Sequence, residues 1–134
     1  MARPSRDLER QVIARAGGRC EYCQLPEAVS DLPFHIDHII AEKHQGQTTL
    51  DNLAWACFSC NMHKGPNIAG IDPLTNEVVR LFRPHQDIWA DHFRWQGAWL
   101  QGLTPVGRTT VTVLEINDTD AVYLRELLSL SGSF

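Results

Sequence analysis

The sequence predicts an α+β protein: a small ββα core stapled by cysteines, an N-terminal helix, and a C-terminal extension of hairpins and helices. Two observations predict the core. Four cysteines fall in two C-x2-C pairs, and an Asp and a His stand side by side in the apolar run between those pairs. A third observation predicts the extension, because the cysteines stop at residue 60 and turn and helix patterns follow residue 66. We therefore expect a core unit at residues 1–66 and an extension at residues 67–134 that packs on it.

The cysteine pairs are Cys20/Cys23 and Cys57/Cys60. The charged N-terminus lacks an apolar segment behind it, and no run of eighteen apolar residues occurs, so we expect a cytoplasmic protein without signal peptide or membrane span. Disulfides are disfavoured in the reducing cytoplasm, whereas Zn²⁺ binds four thiolates tetrahedrally. The cysteines therefore predict a structural zinc site rather than disulfides or a redox centre.

The charge is distributed unevenly along the chain. A net charge of −4 argues against nucleic-acid binding by bulk electrostatics. However, five arginines and only two acidic residues fall within the first nineteen positions, which gives that segment a local excess of positive charge. If nucleic acid is the partner, this segment, which ends at Arg19, and bound metal must supply most of the attraction to phosphate.

The N-terminal half contains three predicted elements. Ser5 is a predicted N-cap for an amphipathic helix that reaches Gly17, with its arginines on the outer surface. The β-branched and aromatic residues at 34–40 predict a strand. Strict alternation would place Asp37 and His38 on opposite faces, so both can serve one site only where this strand ends or bends. After a short apolar element at 50–56, the second cysteine pair begins a helix that ends near residue 64.

The extension is predicted to contain two hairpins, with strands at 68–71 and 78–82 and then at 93–95 and 98–100. Asp87 is expected to cap a short helix, and Asp118 the final amphipathic helix. Thr104 followed by Pro105 predicts a helix to about residue 116, although the β-branched run at 109–113 leaves a strand as the alternative. Tryptophans at such spacings are more often core than base-stacking residues, so we expect Trp89, Trp95 and Trp99 to be buried.

Residues 20–66 together resemble the HNH endonuclease family, in the variant with four zinc-binding cysteines and Asn at the last motif position. The residues that carry the resemblance are Cys20, Cys23, Ile36-Asp37-His38-Ile39, Gly46, Asn52-Leu53, Cys57, Cys60-Asn61 and Lys64-Gly65. The resemblance implies a ββα-metal, treble-clef-like fold and metal-dependent cleavage of DNA.

The resemblance also implies a role for each motif residue. Asp37 and Asn61 would be ligands of a catalytic divalent ion, His38 the general base, and Asn52 a brace for the loop that holds the histidine. The four cysteines would hold structural zinc. Lys64, His35 and Arg19 are the expected substrate contacts. For Lys64 the alternative is a cation favoured by the helix dipole, and for His35 a structural or solvent-exposed role.

The chemistry supports these residue types. Phosphodiester hydrolysis needs a deprotonated water, and an imidazole can take that proton near neutral pH. We expect an adjacent backbone carbonyl to fix the tautomer of His38. One carboxylate and one amide oxygen leave most coordination positions to water and phosphate, which suits Mg²⁺, with Mn²⁺ or another ion as the alternative.

The sequence thus favours a DNA endonuclease, with three alternatives. These are a zinc-stapled nucleic-acid-binding module without cleavage, a nuclease that acts on RNA, and a protein-interaction scaffold with an exposed aromatic patch. A binding module has no reason to keep Asp37, His38 and Asn61 together, so the complete set favours the enzyme. Nothing in the residues specifies an oligomeric state.

Overall fold

A computed structural model describes residues 3–134; residues 1 and 2 of the expected first unit lie outside the described range. The predicted α+β class is confirmed, since short helices alternate with three two-stranded antiparallel sheets. The elements are α1 (Arg6–Ala16), β1 (His35–His38), β2 (Leu53–Ala56), α2 (Phe58–Lys64), β3 (Ala69–Ile71), β4 (Val78–Arg80), α3 (Trp89–His92), β5 (Phe93–Gln96), β6 (Trp99–Gly102), α4 (Pro105–Val113) and α5 (Thr119–Leu130).

Helix α1 begins and ends at the predicted residues. Ser5 Oγ accepts a hydrogen bond from the backbone N–H of Leu8, and Gly17 ends the helix with φ +63°. The arginines of α1 were all expected on its outer surface, but Arg15 turns inward. Its guanidinium donates to the carbonyls of Leu50 and Leu53 and thereby attaches α1 to the segment that leads into β2.

Strands β1 and β2 and helix α2 form the predicted ββα unit. The register pairs Asp37 with Ala54 and His38 with Leu53, without a bulge. The alternation stays regular through Asp37 and His38, and the strand ends at His38, which is one of the two conditions expected for both residues to serve one site. The backbone continues into the loop at 39–49, beginning with a hydrogen bond from Ile39 N to Asn52 O at 2.8 Å.

The extension follows its predicted order of two hairpins and two helices. The segment after Thr104 is helical rather than a strand, because the Thr104 hydroxyl caps it by accepting from Gly107 N at 3.0 Å. Asp118 caps α5 as predicted. The expected cap at Asp87 is wrong. Its carboxylate instead accepts two hydrogen bonds from Arg80, which makes it unavailable to α3.

One hydrophobic cluster contains residues from both sides of residue 66. Its members from the zinc-binding half include Tyr22, Phe34 and Ile39, and those from the extension include Leu81, Phe82, Phe93, Leu100, Leu114 and Ile116. Trp89 and Trp95 pack against it, whereas Trp99 is 51% exposed and departs from the expected burial. No helix in the described part of the chain has the length and apolarity needed to span a bilayer.

A bidentate ion pair joins the β3–β4 turn to α4. Arg108 Nε and Nη2 donate to the two oxygens of Asp72 at 3.0 and 2.9 Å, and this guanidinium lowers the pKa of Asp72 to about 2. The unfolded carboxyl titrates near pH ~3.9, so the pair contributes stability above that pH. The contribution is lost as the pH falls through about 2.

We therefore expect Asp72→Asn to lower the free energy of unfolding at neutral pH and to flatten its decline in acid. Urea unfolding at neutral pH and across the acid range measures both effects. Asp31→Asn, at an exposed loop position, is the matched control and should leave the curve unchanged. An Asp72→Asn curve that parallels the wild type throughout would contradict the assigned role.

Candidate functional site

The four cysteines converge in the core to form a candidate metal centre. Their sulfur atoms all lie within 4.8 Å of one another, and all four residues are buried. The sulfur atoms of Cys23 and Cys57 are 3.8 Å apart. A tetrahedral Zn²⁺ site with Zn–S near 2.3 Å requires sulfur separations of about 3.8 Å. The donor set and spacing therefore fit structural zinc.

The surroundings of the sulfurs also favour a cation. Hydrogen bonding among the buried sulfurs raises the pKa of Cys23 and Cys60 and lowers that of Cys57. Burial disfavours further thiolates unless a positive charge lies nearby. The extension supplies one such charge. Arg125 of α5, only 4% exposed, lies close enough for its charge to interact with the cysteine sulfurs. Its guanidinium is fixed by the carbonyls of Ala98 and Ile116, at 2.8 and 2.9 Å.

A second feature is an open cleft of about 350 Å³ where β1 ends beside α2. The residues that line it are Ile36, Asp37, His38, Ala41, Glu42, Lys43, Asn61, Gly65 and Pro66. The cleft thus brings together Asp37, His38 and Asn61, the three residues expected to carry the chemistry. His38 can share it with Asp37, despite regular alternation, because it is the last residue of the strand.

Asp37 is buried at the wall of this cleft, with 5% of its surface exposed. Tyr22 donates its hydroxyl hydrogen to Oδ2 at 2.7 Å, and Lys64 Nζ lies 3.2 Å from both carboxylate oxygens. Burial raises the pKa of Asp37, while the Lys64 ammonium opposes that rise. An ionised carboxylate has about four acceptor positions, so Asp37 retains the capacity to bind an ion.

Lys64, one of the expected substrate contacts, is buried and is not among the residues that line the cleft. Only 1% of this residue is exposed, and its ammonium donates to Asp37 and to the carbonyl oxygen of His38 at 2.9 Å. Lys64 is the last residue of α2, and its side chain points toward β1 rather than along the helix axis into solvent. It therefore fixes the helix that carries Asn61 to the strand that carries Asp37.

The His38 ring is held by side chains rather than by the expected backbone carbonyl. Nε2 lies 3.0 Å from Thr48 Oγ1 and 3.8 Å from Glu42 Oε1. Both partners belong to the polar loop that follows β1. No local sequence pattern identifies either residue, because both contacts depend on how this loop folds back over the end of the strand.

Asn52 holds that loop in shape. Its amide oxygen accepts from Ile40 N at 2.9 Å, and its amide nitrogen donates to the carbonyls of Ile40 and Gln47 at 2.9 and 2.8 Å. At Gly46 the loop approaches itself so closely that a Cβ would overlap the carbonyl oxygen of Ile40. The bracing Asn and the glycine together determine where Thr48 lies.

His35 and Arg19, the other expected substrate contacts, do not line the cleft. His35 is exposed, with its ring 6.1 Å from that of Phe58. Arg19 is also exposed and donates to the carbonyl of Gln24 at 3.0 Å, beside a separate hollow. Lys43 is an exposed cation that does line the cleft, and it was not anticipated from the sequence.

The oxygen donors of the cleft suit a hard divalent cation, although they are few. Within residues 3–134, three or more His, Cys, Asp or Glu side chains come close enough to share an ion only at the four cysteines, and not in the cleft. Apart from His38, the lining of the cleft includes two carboxylate residues, Asp37 and Glu42, and one amide, Asn61, which would leave the remaining positions to water and substrate oxygens. This donor set fits Mg²⁺ better than a metal that requires a complete protein cage.

Comparisons with known proteins give three findings. A family model described as HNH endonuclease matches residues 20–67. Septu protein PtuB of Bacillus thuringiensis is 25% identical over 120 residues, which cover 87% of this chain and 44% of that relative. The chain thus spans less than half the length of the relative, and the similarity extends beyond the cleft into the extension. No solved structure gives a significant match.

Removal of zinc should abolish cooperative folding, because the cysteines occupy the core and binding of structural zinc is coupled to folding. We expect one zinc per chain by elemental analysis, and loss of the thermal unfolding transition after incubation with a strong chelator. Added Zn²⁺ should restore the transition, whereas Mg²⁺ should not. A chelated protein that unfolds at the original temperature would contradict the assignment of the cysteine cluster.

Gly46→Ala should displace the loop, because the added methyl has no room beside the Ile40 carbonyl. We expect the free energy of unfolding to fall by about 1–3 kcal/mol, the usual cost of an unrelieved steric conflict. Hydrogen exchange at Ile40, whose amide bonds to Asn52, should accelerate. His44→Ala, at an exposed position of the same loop, is the control and should change neither quantity.

Proposed function

We propose, from the premise that residues 20–67 form a domain of the HNH endonuclease family, that this chain is a metal-dependent nuclease that hydrolyses DNA phosphodiester bonds. The predicted resemblance is confirmed over those residues by the family model. Membership supports a nuclease or other nucleic-acid-related function. The observation that carries the more specific proposal is the cleft in which Asp37, His38 and Asn61 meet.

In this proposal Asp37 and Asn61 hold the catalytic divalent cation, with Mg²⁺ favoured and Mn²⁺ or another ion as the alternative. When bound, such an ion supplies Lewis-acid polarisation of the phosphate and stabilises charge on the leaving oxygen. The protein contributes the orientation of its ligands. Tyr22 and Lys64 fix the Asp37 carboxylate from behind, and Lys64 keeps the Asn61 helix against the strand.

His38 acts as the general base. It takes a proton from a water molecule in the cleft while the water oxygen forms a bond to phosphorus and the bond to the 3′ oxygen breaks. The products carry a 5′-phosphate and a 3′-hydroxyl. Asn52 acts through the loop at 39–49 rather than on the reacting atoms, so we assign it a bracing role within the same site.

Substrate attraction has to overcome the net negative charge of the chain. Lys64 is neutralised by Asp37, so Lys43 provides the exposed positive charge at the cleft itself. Arg19 and His35 remain proposed contacts to DNA flanking the cleft. The proposal also includes a cytoplasmic location, where the four thiols stay reduced, and a division at residue 66 between the nuclease unit and its extension.

A zinc-stapled binding module without cleavage is the second candidate, and one observation favours it. Both oxygens of Asp37 already accept hydrogen bonds from protein groups, as they would in a purely structural ion pair. The two candidates differ in what they require of His38, because only cleavage needs this residue as a base. An RNA substrate is the remaining alternative and is tested alongside DNA.

The test is incubation of the purified chain with supercoiled plasmid, and separately with single-stranded RNA, in the presence and absence of Mg²⁺ or Mn²⁺. We expect ion-dependent cleavage of the plasmid. His38→Ala should reduce its rate by about 10²–10⁴-fold, the range for loss of a general base. Asn61→Ala should raise the ion concentration needed for half-maximal rate.

His44→Ala is the matched control, since it removes an exposed imidazole of the neighbouring loop that does not line the cleft. It should cleave like the wild type. Cleavage that persists unchanged in His38→Ala would refute the assigned base. Binding without any cleavage would establish the module instead, and cleavage of RNA alone would correct the substrate.

A further inference from the structure

Two side chains of one loop converge on the same nitrogen of His38. Thr48 Oγ1 lies 3.0 Å from Nε2, and Glu42 Oε1 lies 3.8 Å from it. The contacts are sheltered, because the side chains of His38 and Glu42 are 17% and 29% exposed. Neither Thr48 nor Glu42 is among the residues that carry the resemblance in the sequence, although both lie within the matched range at 20–67.

The tautomer of His38 follows from the chemistry of these partners. A neutral imidazole carries one proton on either of its two nitrogens, and the partner of one nitrogen selects the tautomer. A hydroxyl can donate or accept, so Thr48 alone does not decide. The Glu42 carboxylate only accepts, and its approach to Nε2 favours a proton on that nitrogen. Nδ1 then carries the free lone pair.

We propose that Thr48 and Glu42 are positioning residues that hold the His38 proton on Nε2, so that Nδ1 faces the cleft as the base. This inference rests on the proposed nuclease function. The water proton passes to Nδ1, the water oxygen bonds to phosphorus, and the bond to the 3′ oxygen breaks, with that oxygen taking a proton from solvent. The cationic ring keeps its Nε2–H toward Thr48, and the Glu42 carboxylate stabilises its charge.

The geometry of the loop explains why these two residues can act in this way. Asn52 fixes the backbone at Ile40 and Gln47, on either side of Glu42 and immediately before Thr48. At Gly46 the loop lies so close to the Ile40 carbonyl that only a residue without a Cβ fits there. Because all of these contacts are made within the chain itself, the protein orients the ring, and such preorganisation reduces the rearrangement needed during a reaction.

Conservative substitutions separate the hydroxyl and the charge from simple packing. Thr48→Val keeps the shape and removes the hydroxyl, whereas Thr48→Ser keeps the hydroxyl. At saturating plasmid and Mg²⁺, we expect Thr48→Val and Glu42→Gln to lower kcat by about 10- to 100-fold, the usual effect of losing the partner of a site residue. KM for plasmid should stay unchanged. Thr48→Ser should retain wild-type kcat, as should Thr49→Val, the exposed neighbouring control.

Nitrogen NMR of histidine-labelled protein provides a readout that is independent of cleavage. In the wild type at a pH where His38 is neutral, Nε2 should carry the proton and Nδ1 should show the shift of an unprotonated nitrogen. Thr48→Val and Glu42→Gln should shift the population toward the other tautomer, and Thr48→Ser should not.

The outcomes distinguish this inference from the function on which it rests. Suppose that the wild type and Thr48→Val cleave equally well while His38→Ala is inactive. This result overturns the positioning roles and leaves the proposed nuclease function intact. A proton found on Nδ1 in the wild type does the same. A wild type inactive on both DNA and RNA overturns the nuclease, and with it the catalytic meaning of the tautomer.

Discussion

The four-cysteine cluster is the constraint on which the rest of the structure depends. It joins a turn after α1 to the first residues of α2, and the β1–β2 pair lies between those two segments. Cys57 both contributes a sulfur to the cluster and caps α2 by accepting from Cys60 N. The ligand that attaches the helix therefore also sets its starting point, and so places Asn61 and Lys64 opposite the strand. Neither α2, with seven residues, nor the two-stranded sheet would hold this geometry alone.

Between strand β1 and helix α2, one buried ion pair joins the carboxylate of the cleft to the helix that the cysteines hold in place. Lys64 and Asp37 are among the few charged groups inside the protein, and a buried pair of this kind gains little stability over apolar packing. Its value lies in specificity. The ammonium also binds the His38 carbonyl, so one side chain orients the strand, the carboxylate and the helix together. The phenol of Tyr22 completes the arrangement from the zinc side, which makes the cleft sensitive to the integrity of the metal centre.

Features that depend on neighbouring residues could be predicted from the sequence, whereas features that depend on long-range packing could not. Ser5, Thr104 and Asp118 cap the helices they were expected to cap, because a cap depends on residues three or four positions away. The predicted cap at Asp87 is wrong because Arg80, from another element, binds its carboxylate. The same limit applies at the site. Spacing identified the residues of the cleft, but the inward turn of Lys64 and the fold of the loop over His38 depend on tertiary contacts that no local pattern records.

The contact between Tyr22 and the extension determines whether the motif could be moved into another protein without the extension. Tyr22 is fully enclosed; Phe82 packs edge-on against its ring at 6.5 Å, and the Trp89 indole donates to its carbonyl at 2.9 Å. The residue that orients Asp37 is thus sealed by side chains from beyond the family motif. Transplanting the motif into another protein as a minimal cassette would leave that phenol open to water and competing hydrogen bonds. The motif therefore depends on its own extension to exclude water from the phenol that orients Asp37.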